Sequence, residues 1–425
     1  MKKFFLSQIA IVALSLFVVS CGSDDNDPIL VDDDPDPVDT VLRGQITENM
    51  TLTSDAIWTL DGRVTVTSGA TLTIEAGTII KALPGQEADA SVLIIARGGK
   101  IQANGTSDAP IIFTSSTDNI QVGQTAGTNL SQNDRNLWGG VIVLGYARAS
   151  LSGDALENQI EGIPASDTNG LYGGTDNADN SGSLNYVSIR HGGTSIGDGN
   201  EINGLTLGGV GSGTVISNIE VLGNLDDGIE WFGGSVNASN LLVWAQGDDG
   251  LDIDEAYSGT ISNALVILGD ISDHALEIDG PAGSLEGSFT IDGLTLIGNT
   301  VTENGEYADW RDNAMGTIRN VYASGFKTSA DVELDNNEVS QNFLDGQITF
   351  QNWVLNGADN TVFVEKGGCI ANCDDNDPNN DVFEDLIILD PTFAERAASW
   401  TTTGTSGGAN TGVFGWTLAS AKGAF

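Results

Sequence analysis

The chain has 425 residues, with 59 acidic and 16 basic side chains and a formal charge of −43 at pH 7. A field of that sign argues against nucleic acid and anionic membrane surfaces as partners, and against an acidic polysaccharide unless bound cations reverse it locally. Gly accounts for 55 residues, well above the usual ~7 %, which points away from a helical protein and toward a turn-rich one.

In chain order, Met1-Lys2-Lys3 precedes an apolar run from Phe4 to Val19 that Ser7, Gln8 and Ser15 interrupt. This is a basic n-region and an h-region too short to span a bilayer, so residues 1–20 read as a signal peptide. The run ends Val18-Val19-Ser20-Cys21-Gly22, which resembles the lipobox of bacterial lipoproteins. The resemblance implies cleavage before Cys21 and a diacylglycerol on its sulfur. No other segment is long and apolar enough to cross a membrane, so the expectation is a membrane partner reached by lipid anchor only. Residues 21–40 form an acidic tether without Lys or Arg, expected to be extended and self-repelling. Its acidic patch is similar to the surface-export signal of Bacteroidota lipoproteins, which implies the outer face of the outer membrane.

From residue 41 to 425 no stretch carries a sustained helical period. Short β-type runs alternate with Gly, Asn, Asp and Ser, as in Thr71–Ile74, Val92–Ile95, Ile111–Phe113 and Val141–Leu144. Residues 119–136, 153–182 and 369–385 read as loops thrown off a regular scaffold. Self-similarity identifies that scaffold. Asn218-Ile-Glu-Val-Leu-Gly recurs at Asn240 and Asn263, spacings of 22 and 23 residues, and again at Asn320 and Asn352, with Asn185 as a possible earlier member. About 22 residues is one coil of a right-handed parallel β-helix, built from three short strands and three turns. The fold class is therefore all-β, a single solenoid, with the repeated Asn forming a coil-to-coil ladder. A propeller blade needs roughly 40 residues and is not supported.

A second column follows the Asn column: Asp227-Gly-Ile-Glu-Trp-Phe, Asp249-Gly-Leu-Asp-Ile-Asp, His274-Ala-Leu-Glu-Ile-Asp and Ala330-Asp-Val-Glu-Leu-Asp. Strand alternation sends Ile229, Trp231, Leu251, Ile253, Leu276, Ile278, Val332 and Leu334 inward. Glu230, Asp252, Glu277 and Glu333 then form one outward file, near Asp309, and Asp254, Asp279 and Asp335 form a second. Carboxylates ~4.8 Å apart repel by roughly 3–4 kcal/mol at an effective dielectric of about 20. Such a file needs water to screen it, some of its acids protonated, or cations to bridge it, and Ca2+, taking six to eight oxygens, is the cofactor expected. The candidate ligands are Asp226, Asp227, Glu230, Asp249, Asp252, Asp254, Glu277 and Asp279. A further set lies at Asp374, Asp375, Asp377 and Asp381, beside Cys369 and Cys373, which are expected to form a local disulfide in an oxidising compartment.

A catalytic reading uses the same face. Asp248-Asp249 followed one coil later by Asp273-His274 resembles the site of pectin-degrading β-helix hydrolases, in which one carboxyl protonates the leaving oxygen and another activates water. Ser272-Asp-His-Ala departs from that family's Gly-His-Gly, and its Arg-x-Lys coil has no counterpart. A lyase would need a basic residue beside calcium, and the columns hold none, with Arg190 and Arg311 placed outside the aligned strands. The chain as a whole resembles a group of Bacteroidota surface lipoproteins with a pectin-lyase-like β-helix, through Cys21, Arg190-His-Gly-Gly193, Gly204–Thr214, Asp226–Gly234 and Gly415-Trp-Thr417. That resemblance implies a fold and an address, and no activity. The function expected is binding or structural, toward glycan or another surface component. The alternatives are a polysaccharide lyase or hydrolase, and an adhesin.

Overall fold

In the computed structural model the chain divides into two units, Met1–Asp39 and Thr40–Phe425. The structure describes residues 40–85, 89–195, 201–302, 304–367, 369–371, 382–383, 387 and 389–425. The leader, Cys21 and almost all of the tether lie outside the described residues, as do Cys373, Asp374, Asp375, Asp377 and Asp381. Among the described residues no helix is long and apolar enough to cross a membrane.

Thr40–Phe425 winds into one 24-stranded sheet. A column of short strands stacks in parallel: Val92–Ile95, Val141–Leu144, Leu205–Gly208, Ile229–Phe232, Leu251–Asp254, Leu276–Ile278, Ala308–Trp310, Val332–Leu334 and Phe363–Glu365. A column of long strands runs through Gly182–Arg190, Val215–Leu222, Ala238–Trp244, Thr260–Ile267, Phe289–Ile297, Gly316–Ser324 and Ile348–Asn356. These strands and their short connections make the right-handed parallel β-helix.

The early coils keep three separate strands, as in Lys100–Asn104, Ile111–Ser115 and Val141–Leu144, but from Gly182 onward each coil differs in one respect from that expectation. Two of its three strands merge into the long one, which bends at a single left-handed residue: Tyr186, Asn218, Asn240, Asn263, Gly293, Asn320 or Asn352, with φ between 51° and 81°. Asn tolerates this region better than other side chains, and Gly enters it without penalty. The Asn amides bond from coil to coil, Asn218 Nδ2 to Asn185 Oδ1 at 2.8 Å, Asn240 to Asn218 at 3.0 Å and Asn263 to Asn240 at 2.8 Å. Asn185 is thus a terminal acceptor, and Tyr186 occupies the bend. At Gly293 the chain of amides stops. It resumes with Asn320 donating to Asp292 at 2.6 Å and Asn352 to Asn320 at 2.9 Å, 32 residues apart because the helix Asn337–Leu344 is inserted in that coil.

The inward residues expected from alternation are all in one continuous core, each no more than 2 % exposed. Trp231, Trp310 and Trp353 fill its centre, and Phe350, Phe363, Phe393 and Trp400 pack as an aromatic group against the last coils. Burying one such apolar side chain contributes about 1.5–3 kcal/mol, so the column of inward residues dominates stability.

Two segments outside the coils pack back onto them. Within residues 153–182 a hairpin pairs Asn158–Gln159 with Leu171–Tyr172. Its Ile160, Ile163 and Tyr172 pack on Val92, Ile94, Ile142 and Leu144, the outer side of the first short strands. At the other end, Phe414 and Ala419 return to cover Leu242, Leu265 and Ile267 of the long strands. Ala419 N donates to Glu220 Oε1 at 2.9 Å, and Asn410 N donates to Asn263 Oδ1 at 2.5 Å.

Candidate cation-binding face

The outer side of the short-strand column changes character along its length. Ile142, Thr206, Glu230, Asp252, Glu277, Asp309, Glu333 and Val364 are successive register partners, so the face is apolar beneath the hairpin and acidic beyond Thr206. Asp309 belongs to this first file. The second file is not purely acidic. Backbone bonds from Asp279 to Ile253, Arg311 to Ile278, Asp335 to Trp310 and Lys366 to Leu334 set its order as Asp254, Asp279, Arg311, Asp335, Lys366. Arg311 therefore stands in the file just past the end of its strand Ala308–Trp310, although the columns are expected to hold no basic residue. Irregular coil lengths hide this in the sequence.

A third file lies in the turns before the short strands: Asn203, Asp227, Asp249, His274 and Glu306. Here the Asp side chains bind the backbone of the next coil. Asp227 Oδ1 accepts from Asp249 N at 2.9 Å and Asp249 Oδ1 accepts from His274 N at 2.6 Å. This is the turn chemistry that Asp-Asp-Gly favours, repeated in two coils.

Pointing outward does not leave these acids in water. Asp227, Glu230, Asp249, Asp252, Asp309 and Glu333 are between 2 % and 8 % exposed, so a solvated face is excluded for them. Neighbouring files and the hairpin residue Glu161 close over them. Asn203 Nδ2 donates to Glu161 Oε1 at 3.0 Å and to Glu230 Oε2, while Tyr172 OH reaches Glu255 at 2.8 Å from the same hairpin.

The two ends of the face are neutralised differently. Toward the C-terminal coils the chain supplies its own cations. Arg311 pairs with Asp279 at 2.5 Å and with Glu277, and Lys366 pairs with Glu333 and with Asp331 at 3.4 Å. Glu277 and Asp279, expected as calcium ligands, are therefore held by an arginine. Toward the N-terminal coils, no Lys or Arg among the described residues pairs with Glu161, Asp226, Asp227, Glu230, Asp248 or Asp252. There the carboxyls converge. Ligand oxygens of Asp227, Glu230 and Asp252 lie within 4.8 Å of one another, as do those of Asp226, Asp227 and Asp248. Asp252 Oδ1 and Asn203 Oδ1 are buried without a hydrogen-bond partner. Burial, then the neighbouring carboxylates, push Asp227, Glu230 and Asp252 well above the usual carboxylate range, Asp226 up to about 8, and Glu161, chiefly through burial, up to about 7.

The four residues of the catalytic reading are neighbours in space. His274 Nδ1 meets Asp249 Oδ1 at 2.9 Å and Nε2 lies 3.9 Å from Asp273 Oδ1. Burial opposes the imidazolium, but the hydrogen bond and field of Asp249 outweigh it and hold His274 up at about 10. Burial beside Asp249 raises Asp248 to about 6. Next to this face, Asp254, Glu255, Asp279, Pro281, Asp312 and Glu338 line an open cleft of about 600 Å³. Of the cysteines expected to pair, Cys369 falls in the strand Cys369–Ala371, and its partner lies outside the described residues.

Asn203, Glu161, Glu306 and Lys366 belong to the face and carry no recognisable motif. Register alone could have found Lys366, since Phe363-Val-Glu-Lys continues the column of Val332-Glu-Leu-Asp.

No curated protein and no solved structure matches this chain. The family model of the pectate-lyase-like β-helix domain matches residues 44–417, in agreement with the coil-by-coil parallel sheet. The chain belongs to the pectate-lyase-like β-helix family.

Proposed function

We propose that this is a lipid-anchored protein of the outer-membrane surface, tethered through Cys21 and residues 21–40, whose short-strand face binds calcium and through it a glycan. The observation that carries the reading is the buried trio Asp227, Glu230 and Asp252, which has no basic partner among the described residues and keeps Asp252 Oδ1 unbonded. A buried carboxylate without a counter-ion is costly, and an ion liganded by several oxygens removes that cost. Asn203 adds a neutral oxygen at the same place, a donor calcium accepts readily. An ion held there would reverse the local field and let an acidic saccharide approach a protein that otherwise repels it.

The test is a calcium titration by calorimetry after chelator dialysis, with thermal melts in both states. Binding is expected with a Tm several degrees higher in calcium. A melt that responds to neither calcium nor chelator would sink the proposal. The lyase or hydrolase reading keeps one supporting observation, Asp248 held near 6 and so able to donate a proton around neutral pH. Incubation with acidic and neutral polysaccharides separates the two, because only an enzyme yields new reducing ends or unsaturated products.

A further inference from the structure

One group of side chains on this face does not suit calcium. His274, Asp309 and Glu333 come from three successive coils of the helix, and one ligand atom from each lies within 4.8 Å of the others. Asp309 is 6 % exposed and its Oδ1 has no hydrogen-bond partner. His274 Nδ1 is committed to Asp249 Oδ1 at 2.9 Å, so Nε2 is the ring nitrogen left for a ligand, and Asp273 Oδ1 stands 3.9 Å from it.

We propose that His274, Asp309 and Glu333 form a second metal site, one for a divalent transition ion of the zinc type, distinct from the calcium cluster around Asp252. The chemistry of the donors selects the class. Calcium and magnesium take oxygen ligands, whereas an imidazole nitrogen with two carboxylates suits zinc and its neighbours. Asp249 stands where metal-binding histidines keep their orienting carboxylate, fixing both the tautomer and the plane of the ring. It is a positioning residue, and its backbone-accepting role holds it in place independently of any ion. Lys366 pairs with Glu333 Oε2, so the ammonium and the ion would share that carboxylate. The His274 side chain retains 14 % exposure, which gives an ion a path in from solvent.

The experiment uses the chelator-dialysed full domain in saturating calcium, titrated with Zn2+ by calorimetry and with Co2+ by visible absorption. One Zn2+ per chain is expected, and Co2+ is expected to develop ligand-field bands. His274→Gln and Asp309→Asn should each weaken Zn2+ binding at least tenfold and abolish the bands, while Asp252→Asn should leave both intact. Circular dichroism checks that each variant folds, and Asp309→Asn, which is isosteric, decides the matter if His274→Gln does not. The proposal is overturned by three results: no Zn2+ binding in the unmodified protein, undiminished binding in Asp309→Asn, or binding that disappears in Asp252→Asn. The last would place zinc in the calcium cluster. Failure of calcium binding would leave this result standing, so the two proposals are tested separately.

Discussion

Asp252 shows what a single position in a stacked fold has to satisfy. Its backbone is an ordinary rung between Glu230 and Glu277, and its neighbours Leu251 and Ile253 are core. Its side chain is left with acids on both sides and no donor for Oδ1. Asp252→Asn removes the cost of burying an ionisable carboxyl at nearly constant shape. In chelator the variant is expected to melt a few degrees higher than the parent, reflecting about 1–3 kcal/mol of relieved burial cost. In calcium the order should reverse, because the parent gains an ion that the variant binds poorly. Melting both proteins in both buffers checks this, and a variant less stable than the parent in chelator would show that Asp252 is stabilising without an ion.

The Asn ladder is the corresponding feature at the scale of the element. It alternates one conformational requirement, a positive φ, with one bonding requirement, an amide spanning two coils. Gly293 meets the first and not the second, and Asn263 Oδ1 is instead satisfied by Asn410 N from the returning C-terminal segment. Gly293→Asn would restore the missing amide. The site admits it, since a Cβ there would meet nothing nearer than 3.8 Å and Asn accepts the left-handed bend. The restored amide is expected to compete with Asn410 and loosen the C-terminal segment, which limited proteolysis should detect as faster cleavage between residues 404 and 425 with the coils left intact. Unchanged cleavage would mean that the segment is held by Phe414 and Ala419 alone.

Elements of this kind were legible in the sequence where one residue type met a repeated local requirement. Asn218, Asn240 and Asn263 sit 22 and 23 residues apart because each coil has one bend and Asn favours its left-handed conformation, and Leu251 and Ile253 face inward because alternation leaves no other choice. Gly293 was invisible to a search for Asn, since it serves the backbone without a side chain. Arg311 and Lys366 escaped because their coils differ in length from those before them. Burial of the acids could not be read at all. Around Glu230 it depends on Glu161 and its hairpin, which reach Asn203 from a segment with no repeat of its own.

At the scale of the whole molecule, the acidic face makes stability depend on pH in a defined direction. Burial first, and neighbouring charge second, raise Asp226 and Asp309 to about 8; burial, against its hydrogen bonds, raises Glu161 to about 7. A carboxyl raised in the folded state binds more protons there than in the unfolded chain. Its stabilising contribution is complete below the unfolded pKa of ~4 and is lost as pH rises through about 8. In chelator the Tm should therefore decline from pH 5 to pH 9, and calcium should flatten the decline by replacing the protons. A Tm that rises with pH in chelator would contradict the sign of these shifts.

The returning C-terminal segment has a consequence for how the coils come together. A solenoid in which each coil touches only its neighbours can grow from any point and melt from either end. Here Ala419 binds Glu220, 199 residues earlier in the chain, and Asn410 fills the gap that Gly293 leaves on Asn263. Residues synthesised long after those coils thus close over them. Until that clasp arrives, the central coils show Leu242, Leu265 and Ile267 to solvent, and the chain behaves as an unfinished stack whose middle, rather than its tip, is the open surface.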